Sequence, residues 1–238
     1  MSTPSMRDLV ALPAPEASVL LLIDHQPLQY LYSHDPTTVS EAVLGLAAAA
    51  EILGVPTVLT TLAEEHNGLL VHPLQDIFAG HEPIDRPLLD CWADPRVTDA
   101  VLAAGRKNLI IAGMHTETSV CIPALRAVSD GLDVYVVTDA CGGVTIESHE
   151  GIVRHMARSG VLPVSWEVGG AAWLRERDRR AATVSADAVG TRATTALRRP
   201  SSGRVRSLPA RPPGCRPSSP ARAQGPAMGP QAAGEAVR

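Results

Sequence analysis

Short apolar runs that alternate with helical segments limit the folds open to this chain more than any other sequence feature. Five runs have the length and the Val, Ile, Leu and Thr content of buried strands, at residues 18–23, 56–61, 108–112, 133–138 and 161–166. Segments of helical character separate or follow them, at about residues 38–53, 95–104, 117–130 and 145–159, with a last one ending near Arg180. Strands and helices in this order build parallel sheets with right-handed crossovers. The sequence therefore predicts a three-layer α/β/α sandwich with a mainly parallel sheet.

The composition changes sharply near residue 181. Residues 1–180 contain every aromatic residue and carry a formal charge of −11, whereas residues 181–238 carry +7, from nine Arg and two acidic residues. The second segment also holds eight Pro and six Gly and few large aliphatic residues. Such a segment buries too little apolar surface to offset the entropy of ordering it. We predict one domain over residues 1–180, followed by a disordered tail rich in Arg, Pro, Gly and Ala over 181–238.

Composition and charge also argue against several functional classes. The acidic body does not favour specific nucleic-acid binding. No run of about 18 consecutive apolar residues is present, so we expect no membrane span. The first residues lack the pattern of a signal peptide, so we expect a cytoplasmic protein. No C-x-x-C pair occurs, which favours reduced thiols over a zinc ribbon or a disulfide framework for the cysteines at positions 91, 121, 141 and 215.

The predicted sheet indicates where a ligand would bind. In open parallel sheets, ligands bind at the carboxyl ends of the strands. This rule points to Asp24 after the first run, to the turn at 113–119 and to Asp139. The connection 62–92 shows no strand or helix pattern, and connections of this length usually carry function. We therefore expect an irregular connection that contributes to the ligand site.

Five segments, taken in order, resemble the isochorismatase-like cysteine hydrolase superfamily, and most of all its YcaC-like branch. They read LLIDHQ at 21–26, DRPLLDCWADP at 85–95, IIAGMHTETSV at 110–120, YVVTDACGG at 135–143 and VLPVSW at 161–166. The resemblance covers about residues 15–180 and none of the tail. It implies an isochorismatase-like, Rossmann-like hydrolase domain with a small-molecule substrate, and a homo-oligomer.

The resemblance also implies a catalytic site. In that superfamily, an Asp after the first strand takes a proton from a Cys thiol, a Lys or Arg holds the Asp and the substrate, and the thiolate attacks an amide-like carbonyl. The matching Asp here is Asp24 and the matching cation is Arg86. Backbone N–H groups of His115 and Ser119 match the donors that stabilise the oxyanion. Trp92 either lines the pocket or is a packing anchor at its lip.

Ser119, and not a Cys, occupies the nucleophile position of this pattern. A hydroxyl needs a strong base before it can attack, and Asp24 alone is a weak one. Cys121 lies two residues further, which on an α-helix turns its side chain to roughly the opposite face, so only a register slip at the helix start would bring it to the site.

Three hypotheses stay open. In the first, Asp24 acts as a general acid on a vinyl ether and water completes the cleavage. In the second, Ser119 is the nucleophile of an amide or ester hydrolase, or stands where a parent enzyme used Cys. In the third, the chain is a catalytically silent binding or scaffold protein.

Two further patterns have simple interpretations. Glu64, His66 and His72 have a spacing similar to the metal ligands of the nicotinamidase branch, but we interpret them as surface residues of a polar loop. Gly142 and Gly143 lack the flanking residues of a phosphate-binding loop and indicate a tight turn. We expect neither a metal nor a cofactor.

Overall fold

A six-stranded parallel sheet forms the centre of the molecule. The computed structural model describes residues 12–183 of the chain. The strands lie in the order β3-β2-β1-β4-β5-β6, and every neighbouring pair is parallel. Their bounds are β1 Ser18–Ile23, β2 Thr57–Leu62, β3 Ile84–Arg86, β4 Asn108–Gly113, β5 Asp133–Val137 and β6 Leu162–Val164. The all-parallel order confirms the predicted sheet.

Helices connect successive strands and cover both faces of the sheet. The α-helices are α1 Pro27–Tyr30, α2 Pro36–Leu53, α3 Glu64–Asn67, α4 His72–Ile77, α5 Pro95–Ala103, α6 Cys121–Ser129, α7 Ile146–Arg158, α8 Trp166–Gly169 and α9 Ala171–Thr183. Short 3-10 turns occur at Pro15–Ala17, Cys91–Ala93 and Thr138–Ala140, and a π-helix at Thr116–Val120.

Local signals in the sequence define the longest central helix. Asp35 caps the start of α2, because its Oδ1 accepts a hydrogen bond from the Thr38 N–H at 3.1 Å. Pro36 occupies the first helical position, where its missing N–H costs nothing. Gly54 ends the helix in the left-handed conformation, at φ 69°.

Two apolar clusters form the core, one on each face of the sheet. Strand β1 is completely buried and supplies both: Leu20 and Leu22 pack towards α2, α4 and α9, whereas Leu21 and Ile23 pack towards α5, α6 and α7. This arrangement confirms the three layers. By length and mean hydropathy α2 alone among the described helices could span a membrane, but half of it is buried inside the fold.

The connection 62–92 differs from the prediction. It is not irregular, because it contains α3, α4 and the edge strand β3. Strand β3 is only three residues long, two of which are charged, and it lies between Pro83 and Pro87. Neither apolar alternation nor length therefore marks it in the sequence.

The predicted tail lies almost entirely outside the described residues. Helix α9 continues to Thr183, three residues past the predicted boundary at 180. The predicted disorder of the remaining residues, 184–238, stays a prediction.

Candidate active site

The carboxyl ends of the two central strands bring the first candidate residues to one edge of the sheet. Strands β1 and β4 are neighbours, with Ile23 opposite Gly113, and the Met114 N–H donates to the Ile23 carbonyl at 2.9 Å. Asp24 directly follows β1, and His115 lies two residues beyond β4. The register of the sheet therefore places both at the same edge, as the strand-end rule predicts.

A buried ion pair joins Asp24 to Arg86. The Nη2 atom of Arg86 donates to both Asp24 oxygens, at 2.8 Å to Oδ1 and 2.7 Å to Oδ2, and both side chains are 1% exposed. Arg86 is the last residue of β3 and not part of a loop. The hydroxyl of Thr60, on β2 between them, donates to Asp24 Oδ1 at 3.1 Å. Three adjacent strand ends thus build this part of the site.

The two oxygens of Asp24 are not equivalent. Oδ1 accepts from both Arg86 and Thr60, whereas Oδ2 accepts from Arg86 alone among the described residues. Burial raises the pKa of the Asp24 carboxyl above its ordinary value, while the Arg86 charge and the hydrogen bonds from Arg86 and Thr60 act in the opposite direction. A raised pKa suits a carboxyl that both donates and accepts a proton. Oδ2, which accepts one hydrogen bond fewer than Oδ1, has a free lone pair to bind that proton.

Arg86 makes a further hydrogen bond in addition to those with the Asp24 carboxylate. Its Nη1 donates to the Leu88 carbonyl, which follows β3 in the chain. Its Nε is buried and has no hydrogen-bond partner among the described residues. A guanidinium stays protonated, so Arg86 can orient and neutralise charge but cannot accept a proton.

Ser119 lies in the π-helix and not in an ordinary α-helix, which begins only at Cys121. Its side chain is completely buried, and its Oγ makes no hydrogen bond within residues 12–183. No hydrogen bond therefore joins the Ser119 hydroxyl to Asp24. Cys121, the first residue of α6, packs into the apolar cluster on this face of the sheet, and burial raises the pKa of its thiol, which disfavours the thiolate.

His115 adopts the left-handed backbone conformation, at φ 58°, as does Asp24 at φ 56°. Such a conformation costs a non-glycine residue about 1–3 kcal/mol, and residues that hold it cluster at functional sites. The His115 Nε2 contacts the Oε1 atom of Gln29 on α1, and its ring lies close enough to Asp24 to act on that carboxyl electrostatically. The contribution of its backbone N–H to an oxyanion site stays a prediction.

Trp92 is a packing anchor in this structure. Its indole Nε1 donates to Asp130 Oδ2 at 2.8 Å, and its ring lies in the apolar cluster under α5 and α6, 3% exposed. These contacts agree with the role of a packing anchor, one of the two that the sequence left open for Trp92. A part of Trp92 in substrate binding stays a prediction. Its neighbour Cys91 is buried near Arg86 and Asp24, and burial raises the pKa of that thiol to about 12.

The other candidate residues do not form a site together. Glu64 accepts from the Thr61 hydroxyl at 2.9 Å, whereas His72 pairs with Asp76 at an exposed position. In the part of the chain that the structure describes, no three His, Cys, Asp or Glu side chains come close enough to hold a metal ion. Gly143 forms part of a closely packed turn, where its carbonyl accepts from His34.

Asp139 has a structural role. Its carboxylate accepts from the N–H groups of Trp166 and Glu167, at 2.7 and 3.2 Å, and so caps α8. The position of Asp139 after a strand is therefore explained by helix capping, and such a position alone is not evidence of catalysis.

Sequence reasoning missed Thr60 and Gln29. The position of Thr60 is fixed by its register opposite Ile23, which no local pattern reveals. Gln29 reaches the site because α1 folds back across the strand ends directly after β1. The sequence does contain one indication of this, because three polar residues follow Asp24 closely and all of them are buried in the fold: His25, Gln26 and Gln29.

A cleft of about 430 Å³ lies elsewhere, beside β2 and α4. Its walls include Leu59, Phe78, Glu64 and Glu82, and none of Asp24, Arg86 and Ser119 lines it. We place the candidate active site at the strand ends, because the buried ion pair and the unpartnered hydroxyl lie there.

Comparison with known proteins identifies the family. The family model described as the Isochorismatase domain matches residues 18–168, from the start of β1 to α8. The chain belongs to the isochorismatase family. The match includes all six strands and every candidate site residue.

Two known proteins, one of them named a probable hydrolase, resemble this chain in sequence. Probable hydrolase YcaC of Escherichia coli (strain K12) is 37% identical over 153 residues, which cover 63% of this chain and 74% of the relative. Phenazine biosynthesis protein PhzD of Pseudomonas fluorescens is 29% identical over 180 residues, covering 61% of this chain and 84% of the relative.

Solved structures agree with this membership in the isochorismatase family. The E. coli YcaC gene product, described as an octameric hydrolase of unknown specificity, aligns with a TM-score of 0.68 and 31% identity over 82% of this chain and 97% of its own. YcaC from Pseudomonas aeruginosa, solved with hexane-2,5-diol and covalent acrylamide, aligns with a TM-score of 0.65 and 30% identity over 78% and 91%. The resemblance predicted from the five sequence segments is therefore confirmed.

Proposed function

We propose that this isochorismatase-family chain hydrolyses a small molecule by acid–base catalysis at Asp24, without a covalent intermediate on Ser119. One observation carries the proposal: the Asp24 carboxyl is buried with a raised pKa, whereas the Ser119 hydroxyl makes no hydrogen bond to a base among the described residues. An alkyl hydroxyl without such a base is a poor nucleophile. The proton chemistry of Asp24 needs no nucleophilic side chain.

A vinyl ether is the substrate that suits this arrangement best. The protonated Asp24 transfers its proton to the terminal carbon of the double bond, which leaves a positive charge on the ether carbon. Water adds to that carbon, and the hemiketal breaks into an alcohol and a ketone while Asp24 regains a proton. Arg86 stays bound to Asp24 throughout and holds the carboxylate in place after the proton has left.

A catalytically silent binding protein is the second candidate. The buried, unpartnered Ser119 hydroxyl also favours it, because family members of the cysteine type would carry a thiol there. In this case the buried Asp24–Arg86 pair would serve ligand binding only.

The test is a turnover assay on a vinyl ether and on a panel of small amides. We expect the unaltered chain to cleave the vinyl ether, Asp24→Asn to lower kcat/KM by about 10²–10⁴-fold, and Ser119→Ala to change it far less. Asp133→Asn, at the amino end of β5, is the matched control for loss of a carboxylate.

Other outcomes select the other hypotheses. Amide cleavage that appears only in Ser119→Cys would identify a lost thiol nucleophile and contradict the proposal. Amide cleavage by the unaltered chain that Ser119→Ala abolishes would identify Ser119 as the nucleophile. Binding of ligands without turnover in any variant would select the silent protein.

We also propose a cytoplasmic homo-oligomer. The octamer described for the YcaC gene product supports the assembly. Exposed Leu31, Leu88 and Leu89, which follow the segments that build the site, are apolar residues that a second copy could cover. Analytical ultracentrifugation measures the state directly, and a monomer at micromolar concentration would contradict it.

A further inference from the structure

The contact between His115 and Gln29 determines where the imidazole carries its proton. An amide oxygen only accepts hydrogen bonds, so the contact of Gln29 Oε1 with His115 Nε2 requires a proton on Nε2. In the neutral ring the lone pair then lies on Nδ1. No hydrogen bond to Nδ1 occurs among the described residues, so this lone pair is available to a substrate or to water.

His115 is also less buried than the other candidate site residues. Asp24, Arg86 and Ser119 are at most 1% exposed, whereas His115 is only partly buried. Its ring lies within electrostatic range of Asp24, and Arg86 is the cation that faces Asp24 from β3. A partly exposed imidazole within electrostatic range of a buried carboxyl is well placed to move protons.

We propose that His115 Nδ1 accepts the proton of the attacking water, and that Gln29 positions the imidazole for this step by holding the other proton on Nε2. The inference rests on the proposed function. Water forms its C–O bond as one of its protons passes to Nδ1, and the imidazolium then gives that proton to the leaving oxygen. The hemiketal hydroxyl returns its proton to Asp24, so the ring and the carboxyl both end in their starting states.

The first experiment reads the tautomer without any turnover. Solid-state ¹⁵N spectra of the full chain labelled with ¹⁵N-histidine distinguish protonated from unprotonated ring nitrogens, and the signals missing in His115→Asn belong to His115. Asn tolerates the left-handed backbone at this position, so the variant retains the local conformation. We expect Nε2 protonated and Nδ1 unprotonated, and a mixture of tautomers in Gln29→Met. A proton on Nδ1 in the unaltered chain would overturn the proposal.

The second experiment follows kcat/KM against pH. A base must be unprotonated, so we expect an acidic limb that His115→Asn removes together with about 10²–10⁴-fold of the rate. Gln29→Glu retains the acceptor and adds a negative charge that stabilises the imidazolium, so the limb should move to higher pH by about one unit. His72→Asn, at an exposed position, is the matched control and should change nothing.

The outcomes separate the two proposals. An acidic limb that persists in His115→Asn, or that does not respond to Gln29→Glu, overturns the role of His115 while cleavage by the unaltered chain still supports the proposed function. Absence of cleavage of any substrate overturns the proposed function and the proton transfer together, and the ¹⁵N spectra then decide the positioning by Gln29 alone.

Discussion

Arg86→Met tests whether the Asp24–Arg86 pair is the buried unit that the geometry describes. Met approximates the length of the arginine stem but removes the charge and all donors. The Asp24 carboxylate is 1% exposed in the unaltered chain. In the variant it would retain Thr60 as its remaining side-chain donor among the described residues. Removing one partner of a buried pair costs about 3–5 kcal/mol of unfolding free energy, because the other charge stays buried without compensation.

The size of the loss depends on pH in a defined direction. Without Arg86, burial favours the neutral carboxyl more strongly, so the pKa of Asp24 in the folded variant lies above that in the unfolded chain. Stability from such a group is present below the unfolded pKa and is lost as the pH rises through the folded pKa. The loss of unfolding free energy in Arg86→Met, relative to the unaltered chain, should therefore be large at pH 7 and smaller towards pH 4.

Urea unfolding followed by tryptophan fluorescence, at one fixed protein concentration, measures these differences. Arg96→Met is the matched control, because Arg96 pairs with Asp94 at the surface and should change the unfolding free energy little. The double variant Asp24→Asn/Arg86→Met removes the unpaired charge and should be less destabilised than the sum of the single variants. Equal effects of Arg86→Met and Arg96→Met at pH 7, or strictly additive losses, would refute the reasoning.

Three further predictions concern buried groups. Burial lowers the pKa of His25 to about 3, so the folded state favours the neutral ring. The contribution of His25 to the unfolding free energy should therefore fall by about 1.4 kcal/mol per pH unit as the pH drops from about 6.5 towards 3, and His25→Gln should remove this contribution in urea titrations at several pH values. Gly45→Ala should lower the thermal midpoint, because a Cβ there would lie 2.3 Å from Trp166 Nε1, and an unchanged midpoint would contradict this packing. Burial raises the pKa of the Cys91 and Cys141 thiols to about 12, so neither should react with a thiol reagent until the protein unfolds, as peptide mapping of the labelled chain would show.

Most of the fold could be predicted from the sequence because its signals are local. Strand β1 begins and ends at the predicted residues, Ser18 and Ile23, since a continuous apolar run ends at a charged residue. Helix α2 ends where Gly54 follows the last apolar position. Strand β3 could not be predicted in this way, because its pairing with β2 is supplied by the neighbouring strand and not by its own apolar content.

The site could be predicted only in part, for a related reason. Asp24 and Arg86 are recognisable because each lies in a motif of the family. They are 62 positions apart in the chain, however, and nothing in the sequence indicates that one nitrogen bridges both oxygens. The π-helix around Ser119 was predicted as the first turn of an α-helix, since hydrogen-bond register is a property of the folded backbone. Contacts made across strand ends depend on sheet register, which a single sequence does not specify.

The buried polar groups at the strand ends add little to the stability of the fold, so a purely structural role does not account for them. A buried ion pair is on average no more stabilising than well-packed apolar residues of the same volume. Beside it, the Ser119 hydroxyl and the Arg86 Nε are buried without hydrogen bonds in the described chain, and each such group costs free energy. Two residues here, Asp24 and His115, also hold strained backbone conformations. Each feature lowers the stability of the fold, and all of them meet at the same strand ends, where a bound substrate with oxygen acceptors would offset the cost.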